Sequence, residues 1–99
     1  MAGPVYKFWR SRMKGAWYQL SEEEQNAHMA KAQEALEKVG AKTIVMATPV
    51  WANEEWTLCG VEEFPSVEAV QEHTQLLFDI DHHRYSEGES MLATKWPPS

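Results

Sequence analysis

What most restricts this chain is a pair of serine-started helical segments, each fed by one extended stretch and followed by another. Ser21-Glu22-Glu23-Glu24 forms a capping box, in which the Ser21 hydroxyl accepts from the Glu24 amide while the Glu24 side chain reaches back to Ser21. The three acids also suit the positive end of the helix dipole. His28, Ala32, Ala35, Leu36 and Val39 then recur at spacings of three and four, which makes one buried stripe, and Gly40 follows where a left-handed terminating glycine belongs. The second segment begins at Pro65-Ser66, with Ser66 as N-cap and Glu68 in the first turn. Its stripe is Val67, Val70, Thr74, Leu77 and Phe78.

Extended stretches flank both segments. Val5 to Met13 alternates, with Tyr6, Phe8, Arg10 and Arg12 on one face and Val5, Trp9 and Met13 on the other. Lys7 and Ser11 share the second face, so the alternation is imperfect. Lys42 to Trp51 is rich in β-branched residues, Asn53 marks a turn, and Glu55 to Phe64 returns; Trp51 and Trp56 are placed to pair across that turn. Gly88 ends an irregular stretch, and Ser90 to Trp96 is the last strand. The order β-α-β-β-α-β is an α+β, ferredoxin-like plan: a four-stranded antiparallel sheet with both helices on one face.

Such a sheet has a second face, and in a monomer it should be polar. Here Ile44, Met46 and Val50 alternate with Val45, Ala47 and Trp51, and Trp56, Leu58 and Gly60 alternate with Thr57, Cys59 and Val61. Both faces are largely apolar. The expectation is a homodimer, each copy covering the other's open sheet face.

The bulk properties exclude several classes. At 99 residues one domain spanning 1–99 is expected, with 97–99 as a tail. A net charge of −6 without a Lys/Arg cluster argues against nucleic-acid binding. Cys59 is the single cysteine, so neither an internal disulfide nor a cysteine-based zinc site is possible. No stretch has signal-peptide or membrane-span character, and a cytoplasmic protein is the expectation.

The candidate chemistry rests on histidines. His28, within the first stripe, is a core histidine or a general base facing a pocket, because imidazole titrates near neutral pH. His73 lies at the edge of the second stripe between Val70 and Leu77. The run Asp79-Ile80-Asp81-His82-His83-Arg84-Tyr85 allows Asp79 to share a face with His82 and His83 if the helix continues. Two ligands fall short of a catalytic metal, however; side chains at a helix end explain the run as well, and His82 or His83 reaching into a pocket mouth is the third reading. No metal site is assigned. Arg10, beside Tyr6 and Phe8, can take a substrate carboxylate or pair with Glu62 or Glu63 across strands. Trp17 lids a cavity or anchors the first helix, Tyr85 packs back, and Gly60 leaves room for a close approach. Cys59 reads as a small buried hydrophobe.

Two stretches carry a resemblance to the dimeric α/β-barrel proteins. Gly15 to Glu24, GAWYQLSEEE, is similar to the strand-to-helix junction of the uncharacterised darcynin-like branch. Phe64 to His73, FPSVEAVQEH, resembles the start of the second helix in stress-responsive barrels, which include a plant polyketide cyclase. The group also holds cofactor-free monooxygenases and muconolactone isomerases. The resemblance implies a pocket between the helices and the concave sheet face, and it sets His73 where the cyclase has a catalytic tyrosine. The cyclase's later histidine has no aligned counterpart, because a helical pattern continues from Thr74 to Ile80 before His82 and His83.

The reading is therefore a cofactor-independent small-molecule enzyme performing cyclase, isomerase or lyase chemistry on an aromatic or polyketide-like substrate. His73 and His28 would act as acid and base, with Tyr6, Phe8, Arg10, Trp17, Leu58, Gly60, Leu77 and Tyr85 binding the substrate. A non-catalytic ligand-binding or stress-response dimer and a cofactor-free monooxygenase are the alternatives. Haem or metal binding is a further one, and it needs an axial ligand.

Overall fold

The computed structural model describes residues 3–97, so the expectation of a disordered tail lies, at positions 98 and 99, outside the described residues. Eight elements follow one another: β1 (Val5–Met13), α1 (Gly15–Tyr18), α2 (Glu22–Lys38), β2 (Lys42–Ala47), β3 (Leu58–Phe64), α3 (Val67–Asp79), α4 (His82–Tyr85) and β4 (Ser86–Ala93). The strands form one antiparallel sheet in the order β2-β3-β1-β4, which is the ferredoxin-like arrangement.

The local signals behave as their chemistry requires. Ser21 Oγ accepts from the Glu24 amide at 3.1 Å and Glu24 Oε1 accepts from the Ser21 amide at 2.9 Å, closing the capping box at the start of α2. At the other end Gly40 takes φ 78°, and the Ala41 amide donates to the Leu36 carbonyl at 3.2 Å. That bond satisfies a carbonyl the helix would leave open. Ser66 Oγ accepts from the Ala69 amide at 3.1 Å and starts α3 in the same way.

Strand register sorts β1 cleanly. Val5, Lys7 and Trp9 stand opposite Phe64, Glu62 and Gly60 on the helix side; Tyr6, Phe8 and Arg10 stand opposite Glu63, Val61 and Cys59 on the open side. The apolar core lies at one end of the helix side, where Val5 and Phe64 meet Leu36, Val39, Ala41, Ala69 and Val70. Toward the other end of β1 the inward residues become Lys7, Trp9, Ser11 and Met13, and the layer between sheet and helices opens into a cleft.

Several expectations need correction. β2 stops at Ala47 and β3 starts at Leu58, so Trp51 and Trp56 do not form a strand pair: Trp51 is fully outside, in a turn closed by the Ala52 amide on the Pro49 carbonyl. Asn53 does organise this loop, its Oδ1 accepting from the Glu55 and Trp56 amides. Trp56 instead receives the guanidinium groups of Arg10 and Arg12 at 4.9 and 5.0 Å from its ring. β4 begins at Ser86, four residues earlier than expected. Gly88 is inside it, where a Cβ would fall 2.3 Å from the Arg10 carbonyl oxygen. Val67 and Phe78 are exposed, and the inward face of α3 is Ala69, Val70 and His73. Cys59 is half-buried and pairs with Arg10 on the open side rather than in the core.

Gly60 has a different reason from the one its mid-strand position suggested. A Cβ there would sit 2.8 Å from the Trp9 ring and 2.7 Å from the Val45 carbonyl oxygen, so the missing side chain makes room for the tryptophan opposite it. Gly60→Ala should displace Trp9 and cost about 1–3 kcal/mol, read as a lower urea midpoint with unchanged slope. An unaltered midpoint would show that Trp9 has another place to go.

Candidate functional site

The cleft has a volume of about 350 Å³ and is walled by β1, β3, the middle of α2, the second half of α3, and α4. Its lining is mixed: apolar residues include Met29, Leu36, Met46, Leu58 and Leu77, and polar ones include Lys7, Gln33, Glu62, Thr74, His73 and His82. Lys7 and Glu62 face each other in strand register. Among the described residues neither forms an ion pair; the three pairs present join Arg10 to Glu89 and Arg12 to Glu55 and Glu87 on the open side.

His73 comes from the inward face of α3. It is 4% exposed, packs against the Phe64 ring at 5.3 Å, and its Nδ1 has no hydrogen-bond partner among the described residues. Trp9 Nε1, on the facing strand, is likewise buried and unpartnered. Leaving two such nitrogens unsatisfied is costly, and they belong to facing walls of the cleft, His73 to α3 and Trp9 to β1.

The run 79–85 folds unlike a continuing helix. α3 stops at Asp79, whose Oδ1 accepts from Gln75 Nε2 at 3.0 Å, and Asp81 takes the left-handed conformation at φ 59°. This turn separates Asp79 from the histidines and aims His82 back at α2. His82 Nδ1 lies 3.0 Å from His28 Nε2, and the two rings stack 5.2 Å apart and nearly parallel. Trp17 and Tyr85 box in His28 edge-on, at 5.9 and 5.0 Å, and the Trp17 carbonyl accepts from Gln25 Nε2. His83, also on the cleft lining, stacks on Phe78, and its carbonyl accepts from the Lys14 ammonium at 2.8 Å. Among the described residues no three His, Cys, Asp or Glu side chains are placed to hold a metal ion.

Burial sets the protonation of this group. It lowers His73 to about 4, helped by the charges of Lys7 and His82. His82 is also lowered to about 4, by burial first and then by His28, His83 and Lys7. His28 is lowered by burial and by Lys31, against a smaller opposing effect of Asp81. Lys7 is lowered and Glu62 raised, each by burial and each partly restored by the other. At neutral pH the three imidazoles are uncharged.

The nominated residues fall into two groups. His73, Leu58 and Leu77 line the cleft. His28 does not; it reaches the cleft through His82. Trp17 and Tyr85 are supports for His28. Tyr6, Phe8 and Arg10 point to the opposite sheet face, and Arg10 is engaged by Glu89 of β4 rather than by Glu62 or Glu63. The space beside Gly60 on the helix side is filled by Trp9. His82, one of the two histidines open to a pocket-mouth reading, lines the cleft, whereas Lys7, Trp9 and Glu62 are not singled out as cleft residues by the sequence. The available signal was the polar interruption of the β1 face by Lys7.

The titration has a consequence for stability. The unfolded histidines bind protons near pH 6.5 and the folded His73 and His82 only near 4, so between these values the unfolded state holds more protons. Stability should therefore be complete above about pH 6.5 and fall steadily toward pH 4. Urea titrations across this window check it, and His73→Phe should flatten the acid limb.

No protein-family model matches this chain, and no curated protein matches it. Solved structures do. Chlorite dismutase from Candidatus Nitrospira defluvii superposes with a TM-score of 0.77 at 12% identity, over 98% of this chain and 42% of that one. The same enzyme in complex with imidazole gives 0.77 at 12% identity, over 99% and 42%. A protein of unknown function from Rhodopseudomonas palustris gives 0.68 at 17% identity, over 99% of this chain and 86% of that one. This chain thus spans less than half the length of the chlorite dismutase it is similar to. At these identities the likeness is one of fold: an α+β ferredoxin-like chain of the kind found in chlorite dismutase.

Proposed function

We infer that this chain is a cofactor-independent enzyme that moves a proton on a small, largely apolar carbonyl compound bound in the cleft. The observation that carries the reading is His73, a buried neutral imidazole with an unpartnered nitrogen on the wall of a cavity of ligand size. In this reading His73 takes the proton from carbon. The His73 imidazolium gives that same proton back to the product, and His82, whose Nδ1 is held by the 3.0 Å contact with His28 Nε2, offers its other ring nitrogen to the carbonyl oxygen as a hydrogen-bond donor without giving its proton up. Lys7 offsets charge developing on the carbonyl oxygen. The likeness of residues 64–73 to the stress-responsive and cyclase barrels supports the same location. The specific reaction, whether isomerisation, cyclisation or lysis, follows from the substrate and not from these residues.

The test is solvent-deuterium exchange into enolisable aryl ketones, followed by NMR. His73→Gln should slow exchange roughly 100- to 10,000-fold, and His28→Asn should slow it less, because it acts one ring away. Exchange indifferent to His73→Gln would reject the reading. The alternative of a non-catalytic binding protein draws on the boxed, stacked state of His28, which also suits a structural role. Under it, the same ketones bind without exchange. A cofactor-free monooxygenase would differ in consuming oxygen.

We further propose that the protein is a homodimer through its open sheet face. Phe8, Val45 and Met91 there are 37%, 49% and 63% exposed, and with Val61 and Cys59 they make an apolar surface that a lone chain would leave in water. Light scattering should give twice the chain mass, and Val45→Glu should give one chain mass with the fold kept. A wild-type monomer at micromolar concentration would refute the proposal.

A further inference from the structure

The pair His28–His82 fixes which hydrogen-bonding role His82 presents to the cleft, an inference that rests, for the ligand it serves, on the small-molecule reading above. The two rings lie at 5° to one another, their centres are 5.2 Å apart and the facing nitrogens are 3.0 Å apart. Those three values set the imidazoles nearly end to end in one plane, where the lone pair of one nitrogen meets the N–H of the other. Two neutral rings can share this bond in only two ways. Either His28 Nε2–H donates to His82 Nδ1 and both rings carry their proton on Nε2, or His82 Nδ1–H donates to His28 Nε2 and both carry it on Nδ1. An imidazole side chain left to itself favours the proton on Nε2, so the first arrangement suits both rings and the second suits neither.

Both rings are held to this bond. His28 is 7% exposed on α2, with Trp17 and Tyr85 edge-on against it, and the Trp17 carbonyl accepts from Gln25 Nε2. His82 stands on the short α4, which Lys14, just past β1, ties down: its amide donates to the Tyr85 carbonyl and its ammonium to the His83 carbonyl, both at 2.8 Å. His82 is half-buried and lines the cleft. Its Nε2 makes no hydrogen bond among the described residues and, unlike Trp9 Nε1 and His73 Nδ1, is not shut off from solvent.

We propose that His28 is a positioning residue: its Nε2–H keeps His82 Nδ1 as the acceptor, so that His82 presents a neutral Nε2–H to the cleft and takes a ligand there through a carbonyl or phenolate oxygen. A ligand that offers an N–H or an ammonium at this point meets a donor and is refused.

NMR of the imidazole nitrogens, on the whole chain in mildly alkaline solution, reads the tautomers directly, each of the four histidines being assigned by its own replacement. His28 and His82 should both show a protonated Nε2 and a bare Nδ1. His28→Gln, whose amide nitrogen can stand where Nε2 stands, should keep His82 in that form. His28→Glu, which can only accept, should bring a proton onto His82 Nδ1. A residue that merely filled space would leave His82 Nδ1 bare in both variants. The ligand side is read by calorimetry. 2-Acetylnaphthalene should bind wild type and His28→Gln roughly three- to tenfold tighter than 2-isopropenylnaphthalene, which has the same shape without the oxygen, and His82→Phe should erase that margin. A proton on His82 Nδ1 in the wild-type protein, equal populations of its two forms, a bare Nδ1 that persists in a folded His28→Glu, equal affinity for the two probes, binding of neither, or a margin that survives His82→Phe overturns the proposal. Where His28→Glu does not fold, the wild-type tautomer and the ketone margin decide alone. Failure here is distinguishable from failure of the proton-transfer reading. Ketone exchange that depends on His73 while His82 is protonated at Nδ1 sinks only this assignment, and the expected tautomer and ketone margin without exchange of any carbon acid sink only the chemistry.

Discussion

The register of β1 between β3 and β4 governs everything else in this molecule. Because side chains alternate with period two, pairing Val5 with Phe64 also fixes Lys7, Trp9, Ser11 and Met13 beneath the helices. A slip of one residue would put Arg10 and Arg12 into the core and Trp9 into water. Two features resist it. Trp9 fits over the bare backbone of Gly60, and on the other face Arg10 and Arg12 reach Glu89 and Glu87, each directly opposite on β4. Exposed pairs of this kind contribute little stability each, but they penalise the shifted alternatives in which like faces no longer meet.

From that register follows the division of the layer between sheet and helices. At the Val5 end the facing residues are all small or aliphatic apart from Phe64, and they close tightly. At the other end a lysine and a carboxyl group occupy positions where a purely structural sheet would carry valine or leucine. Burying such groups costs free energy, as the opposed displacement of Lys7 and Glu62 from their ordinary ranges records. The same applies to the imidazoles, which remain buried by remaining neutral. The core end supplies the stability and the polar end carries the cost, so the position of the boundary along β1 decides where a ligand can sit.

Much of this was legible in the sequence. The two serine caps, the glycine after α2 and the alternation of β1 suffice for the element order, and the doubly apolar strands identify an open face in need of cover. What eluded the sequence was direction rather than type. Asp81 adopts a left-handed conformation that no local pattern demands, and this one residue turns His82 from a helix-end group into a partner of His28. The loop between Ala47 and Leu58 is rich in apolar residues, a pattern that by itself extends both strands beyond their actual ends. Gly60 is legible as a place of close approach, and the bulk that needs its space is a cross-strand tryptophan. Lys7 and Ser11 were visible as flaws in the alternation, and those flaws line the cleft.

The depressed titration of His73 has a bearing on how such a site would discriminate a transition state from a ground state. An imidazole that protonates only near pH 4 is a poor base toward carbon, and the nearby charge of Lys7 is one reason for its weakness. Those same conditions make it unusually sensitive to a new negative charge. In the proposed reaction, an oxyanion forming beside Lys7 in a medium of low effective dielectric would screen the repulsion that holds the imidazolium down, so the base would strengthen as the substrate lost its proton. Such an interaction would be weak before the reaction and strong at its crest, which is the condition for raising a rate rather than merely tightening binding. Neither the fold nor the likeness to chlorite dismutase supplies this property. It would come from the burial of the imidazole first and then from one lysine placed on the inner face of a strand.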